Sequence, residues 1–266
     1  MWEEDANTSA TVLKELSNPE IRALKENMEI AVTSIKDEDL QPAHAIFLRV
    51  KCAAIKKSKQ LNEVQKLQEM QKIFVDVPTL CETILLHLAN LKKCIEERQS
   101  PLNNTDNDEN DRIEESRSFI CLQLLKLSQF TDLQEEGSRR HFFSILHGIL
   151  TSIDTPDILV DTCLNVMYHT HANEADFVDQ IHRILQDILK ESSETENMNS
   201  IATQIMAVKT ETKLRMASIL SAVLEKVSQI NTEDGNLNSF HALIMPMVTS
   251  ENVTLKEAGV SCLGKI

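Results

Sequence analysis

Glycine, proline and aromatic residues are scarce in this chain, and positive charge is outnumbered. Of 266 residues, 5 are glycine and 6 are proline, and aromatics make up 4%. Sheets draw on turn residues and on aromatic and β-branched side chains, so these shortages argue against a β-rich fold. No apolar run reaches the roughly 18 residues of a membrane span, and the N-terminus, MWEEDANTSA, lacks the basic and apolar regions of a secretory signal. The glycines at 137, 148, 235, 259 and 264 are all isolated, which excludes a glycine-rich phosphate loop. Cys-x-x-Cys is absent too. The six cysteines are dispersed, and a reduced compartment, cytoplasm or nucleus, fits that pattern. The net charge is -14 and the pI about 5.0. A free nucleic-acid binder usually carries a basic balance, so only a local patch is compatible with that role.

What is abundant is Leu, Ile, Ala, Glu, Lys and Gln, the residues of helices. The fold class expected is all-α. The most telling stretch is Phe240–Ile266. Leu243, Ile244, Met247 and Val248 recur at helical spacing, with Pro246 as an expected bend. After a polar turn, Leu255, Ala258, Gly259, Cys262 and Leu263 put small and apolar residues on one helix face. Small residues let helices approach closely. This pair resembles a HEAT repeat, the hairpin that stacks into an α-solenoid of antiparallel helix pairs, and the chain has length for roughly six such units.

Caps and apolar spacing predict the remaining helices. They are expected at about Pro19–Ile35, Pro42–Lys59, from Asn62 with Gln65 in a capping box, and at Pro78–Glu97. Ile113–Phe130 follows, with Ile113, Ile120, Leu124 and Leu127 sharing a face. Asp132 with Glu135 caps a helix to Thr151, Thr155-Pro156 opens one to His169, and Asn173 with Asp176 opens one to Lys190. A long helix is expected from Ile201 to Ile230. Residues 99–111 and 192–199 read as polar loops, sensitive to proteases. Residues 1–39 form an N-terminal helical segment and 40–266 the solenoid portion. The chain stops inside a helix without a capping turn, so it reads as truncated at the C-terminus, with an exposed and less stable last repeat. Leu124, Leu127, Phe142 and Leu164 are expected in the core.

Candidate chemistry is thin. His169 and His171, with His141, His147 or His182, invite a metal reading. Ligands two residues apart do not share a helix face, however, and no Cys or carboxylate cluster completes a tetrahedral set. A helix terminus explains them better. Gly259-Val-Ser261-Cys-Leu-Gly264 only superficially resembles a nucleophile elbow: its second glycine is one residue late and its context helical. Neither enzymatic activity nor any cofactor is expected. One basic stretch stands out: Arg49, Lys51, Lys56, Lys57, Lys59, Lys66 and Lys72, against Glu63 and Glu69 only. Arg49, Lys56 and Lys59 fall on one broad side of a continuous helix. Arg49, Lys51, Lys56, Lys57 and Lys59 are the candidates for contact with a DNA backbone; an ordinary solvated helix face is the competing reading. Interleaved aromatics for base stacking are missing, so the contact would be sequence-independent. Ser100-Pro101 is the better of two proline-directed phosphorylation sites, since Thr155-Pro156 reads as a helix start.

The stretch FICLQLLKLSQFTDLQEEGSRRHFFSILHGILTSIDTPDILVDTCLNVM, Phe119–Met167, resembles the G-type subunit of the condensin complex, its non-SMC, HEAT-repeat, kleisin-binding component. The likeness rests on the FICLQLLKL helix, the acidic turn before Gly137-Ser138-Arg139-Arg140, and Thr155-Pro156-Asp157-Ile158-Leu159-Val160. Upstream Pro42–Val50 and downstream Val253–Gly264, ending Cys-Leu-Gly, extend it to roughly Leu40 onward. Residues 1–38 match less clearly, and the chain resembles a middle portion only. The resemblance implies a non-catalytic scaffold in mitotic chromosome condensation, in the nucleus and on chromosomes, with a cytoplasmic pool. It implies three partners: the kleisin subunit, the SMC ATPase subunits through the complex, and sequence-independent double-stranded DNA. No membrane is implied. The alternative is a generic HEAT scaffold, such as a nuclear transport receptor or a phosphatase regulatory subunit.

Overall fold

The computed structural model describes residues 40–73, 76–99, 107–131, 133, 135–192, 205, 208–227 and 236–265. Among these there are ten α-helices, one 3-10 turn and no strand. The predicted helix Pro19–Ile35 lies outside the described residues. The chain divides into two compact units, Met1–Ser138 and Arg139–Ile266.

The first unit holds α1 (Pro42–Lys57), α2 (Glu63–Gln71), α3 (Val77–Gln99), α4 (Asn107–Leu127) and the 3-10 turn Ser128–Phe130. The capping box at α2 is present. Asn62 Oδ1 accepts the Gln65 amide at 2.8 Å, and the Asn62 amide donates to Gln65 Oε1 at 3.0 Å. Asp76 caps α3 by accepting the Thr79 amide at 2.7 Å. α3 and α4 form an antiparallel pair, and α1 packs on α4. At their shared end Arg98 reaches Glu114 at 2.9 Å and Asp111 at 3.4 Å. That pairing accounts for one correction: α4 starts at Asn107, inside the stretch expected to be a loop. Its acidic first turns suit the positive end of the helix dipole. Ile120, Leu124 and Leu127 are buried as expected, but Ile113 is 42% exposed and sits off the packed face. The α-helix ends at Leu127, and the remaining residues to Phe130 tighten into the 3-10 turn.

The second unit contains α5 (Glu136–Thr151, apart from its first turn), α6 (Asp157–Thr170), α7 (Glu174–Ser192), α8 (Thr210–Lys226), α9 (Asn236–Val248) and α10 (Val253–Leu263). α6 packs on α8 and α8 on α10, while α7 packs on α9. These contacts make two layers of stacked helix pairs, the HEAT-type arrangement expected. α7 shows why: Phe177, Val178, Ile181, Ile184, Leu185, Ile188 and Leu189 are all buried at 3–4 residue spacing. α6 is enclosed more completely, with Leu159, Val160, Cys163, Leu164, Val166 and Met167 buried. Phe142 and Leu164 are fully buried. Gly259 permits the closest approach. A Cβ there would lie 2.8 Å from the Val248 amide nitrogen and 3.0 Å from Met247 Cβ.

Four local expectations are corrected. Pro156, not Thr155, is the N-cap of α6. The Thr155 carbonyl instead accepts from the Arg215 guanidinium. The long helix from Ile201 does not form as one piece. Lys209 is extended, α8 begins at Thr210, and the preceding turn buries Ile205 and Val208. Leu263 is 38% exposed, so the packed stripe of α10 is Leu255, Gly259 and Cys262. α10 stops at Leu263, where Gly264 forms the C-cap. Pro246 sits inside α9 without ending it. Asp132 and residues 193–199 lie outside the described residues.

Candidate nucleic-acid interface

α1 is built around one buried stripe, Ala45, Leu48 and Cys52, which turns toward the core because these positions fall 3–4 residues apart. Burial pushes the Cys52 thiol up to about 12, against the smaller opposing effect of Lys51, so it is a packed thiol rather than a nucleophile. The basic residues surround that stripe. Arg49 and Lys56, seven residues apart, share its flank. Arg49 is half-buried, while Lys56 and Lys57 are exposed in the last turn, where cations suit the negative end of the helix dipole.

The structure separates the candidates into three kinds. Lys51 is half-buried, its ammonium 5.7 Å from the centre of the Phe47 ring. Lys56 lies 5.5 Å from the centre of the Phe130 ring. Both are cation–π contacts, which hold the charge in place without neutralising it. Lys57 and Lys59 are exposed and make no ion pair among the described residues. Lys59 is a correction. α1 ends at Lys57 and Ser58 is extended, with φ -61 and ψ 125, so Lys59 leaves the helix and does not continue the Arg49–Lys56 side. Lys66 and Lys72 are drawn off locally, to Glu63 at 2.8 Å and Glu69 at 2.5 Å. The available charge therefore concentrates at the C-terminal end of α1.

The expectation that no aromatics interleave the basic residues is corrected, because two rings lie against them. Phe47 lies one turn before Lys51 on α1, a spacing that would have revealed it. Phe130 comes from the 3-10 turn far along the chain, and no local signal pairs it with Lys56. Ser100 lies outside the described residues.

Three of the histidines suggested as ligands are engaged elsewhere. His171 Nδ1 lies 2.7 Å from the Met167 carbonyl, at the end of α6. His147 Nε2 is 3.2 Å from Asp187, and His182 Nε2 is 2.7 Å from Gln186. No group of three His, Cys, Asp or Glu side chains is placed to hold a metal among the described residues. No described helix is long and apolar enough to cross a membrane.

No protein-family model and no curated protein matches the sequence. Among solved structures, the chain is similar to a chain of the S. pombe condensin Cnd3-Cnd2 subcomplex, with a TM-score of 0.59 and 19% identity. The match covers 91% of this chain and 30% of that one, so this sequence spans under a third of its neighbour's length. At that identity the likeness is one of fold: stacked helices in an all-α solenoid.

Proposed function

We propose that this chain is a portion of a condensin HEAT-repeat subunit of the G type. It is a non-catalytic scaffold that binds the kleisin subunit and, with it, double-stranded DNA. Through the complex it associates with the SMC ATPases on chromosomes in the nucleus. The observation that carries this reading is the agreement of two likenesses. The ordered segments of Phe119–Met167 resemble the family in sequence, and the helix stacking is similar to a condensin chain solved within a two-subunit complex.

The cluster at the end of α1 is assigned the DNA contact. Phosphate needs accessible cations, and Lys56, Lys57 and Lys59 are exposed here within four residues of sequence. The contact is assigned to the phosphate backbone, because the two rings beside the cluster, Phe47 and Phe130, are taken up by Lys51 and Lys56.

The test is co-purification with a kleisin fragment, followed by titration with duplex DNA at several salt concentrations. Kleisin capture with DNA affinity that falls as salt rises is the expected result. Reversing Arg49, Lys56 and Lys59 to Glu should then weaken DNA binding and flatten the salt dependence by roughly one unit of slope per lost contact. Failure to capture kleisin removes the condensin assignment and favours a generic HEAT scaffold. Capture with unchanged DNA affinity in the triple variant removes only the α1 site.

A further inference from the structure

The second unit carries a groove of about 410 Å³ between α5, the end of α6 and α7. One wall is the face of α5 that bears Arg139 and, one turn on, Phe143. The other is a single face of α7, where Asp176, Asp179 and Arg183 recur at helical spacing. His171 closes the end. Its ring packs against Phe143, with ring centres 5.1 Å apart, and its Nδ1 is committed to the Met167 carbonyl. The groove therefore has a fixed aromatic end, its two rings tilted 58° to each other.

Its charges are uneven in availability. Asp176 is tied into the cap of α7, accepting from Asn173 Nδ2 at 2.9 Å, and Asp179 also has a partner. Arg139 and Arg183 are exposed and make no ion pair or hydrogen bond among the described residues. Two other cations of this unit find carboxylates: Lys226 reaches Asp161 at 2.9 Å and Lys265 reaches Glu225 at 2.5 Å. In a chain of net charge -14, two unpaired guanidinium groups lining one groove are an unmet demand for anions.

We infer that this groove docks a linear segment of a protein partner bearing two acidic side chains beside an apolar one. The carboxylates would take the planar forks of Arg139 and Arg183, and the apolar residue would lie on Phe143 and His171. The two aspartates decide against nucleic acid. A continuous phosphate backbone would run past Asp176 and Asp179 and be repelled, whereas a peptide can present its amides or a basic residue there. The site is separate from the α1 cluster and does not depend on the condensin reading.

The probe is a phage-displayed library of random peptides of about 12 residues, selected against the whole chain, with affinities read by fluorescence anisotropy. Selected peptides should be enriched in Asp and Glu next to an apolar residue. They should bind the Arg139→Glu, Arg183→Glu double variant at least roughly tenfold more weakly, and lose affinity as salt rises. Arg112→Glu, an exposed arginine on α4, should leave them unaffected. The thermal transition checks folding, and the Arg139→Gln, Arg183→Gln pair replaces the double variant should it unfold. Peptides without acidic enrichment, or equal affinity for the variants, overturn the assignment. So does duplex DNA binding that falls in the double variant while peptide binding holds.

Discussion

Both units are built of packed helices, and they differ in polar chemistry. In the first, four ion pairs are local: Lys66–Glu63, Lys72–Glu69, Lys92–Glu96 and Lys93–Glu97 all lie three or four residues apart. Such exposed pairs contribute little to stability and constrain no tertiary contact. In the second, polar groups join separate elements. Arg215 of α8, 5% exposed, donates to the Ile153 carbonyl at 2.9 Å, to the Thr155 carbonyl, and to Asp157 at 3.2 Å. Lys226 ties α8 to α6, and Lys265 reaches both Ser221 and Glu225. The contrast extends inward. In the first unit His87 is wholly buried with neither ring nitrogen hydrogen-bonded. The second unit has polar links between the stacked helices of one layer, α6, α8 and α10. In the first unit the Arg98 pairs join α3 to α4, while Lys57 and Lys59 at the end of α1 make no ion pair among the described residues.

The largest effect tests the shared ground of that comparison. Leu124→Ala in the first unit and Leu164→Ala in the second should each cost about 2–5 kcal/mol in denaturant unfolding. Both side chains are no more than 1% exposed. A loss below half a kcal/mol at either site would mean that its unit is not held by the stripe described.

The next distinguishes the units by pH. Burial, aided by the nearby charge of Arg117, pushes His87 from 6.5 down to about 4. The unfolded state therefore binds the extra proton first. Stability is complete above pH 6.5 and declines as pH falls toward 4, by on the order of 2 kcal/mol after solvent screening of the Arg117 contribution. His87→Leu should flatten this decline, because it removes the titrating group. An unchanged pH profile in that variant would place the titration elsewhere.

A smaller loss is expected from Arg215→Lys, between about 1 and 2 kcal/mol. A single ammonium cannot reproduce a guanidinium fork that serves two carbonyls, and at least one would be left unpaired. The Asp157 pair adds little, since that carboxylate is 80% exposed. Hydrogen exchange should quicken in the turn before α6. Unaltered protection there would show that the buried arginine does not fasten the turn. The smallest effect belongs to the α1 cluster. Lys57 and Lys59, both exposed, changed together to Glu should alter stability by less than about 1 kcal/mol. A larger loss would make this a structural cluster and end the contrast between the units.

Much of the architecture was legible locally. The capping pairs Asn62–Gln65 and Asn173–Asp176 were readable because a cap and its helix are adjacent in sequence. Gly259 was readable as a close approach because only small residues permit one. The interface was less so. Arg49 and Lys56 could be placed on one side of α1, but the end of that helix at Lys57 displaced Lys59, and no cap residue announced the end.

By itself, the sequence determined helix class, helix faces and most boundaries, because these follow from interactions among residues within one or two turns. It also determined the scarcity of cations, and so where a patch could lie. Tertiary structure decided what holds Lys56, through its meeting with Phe130. It decided the path of the buried Arg215, and it broke the helix before Thr210 to bury Ile205 and Val208. These outcomes depend on partners tens of residues away, and burial outweighs local propensity wherever the two compete.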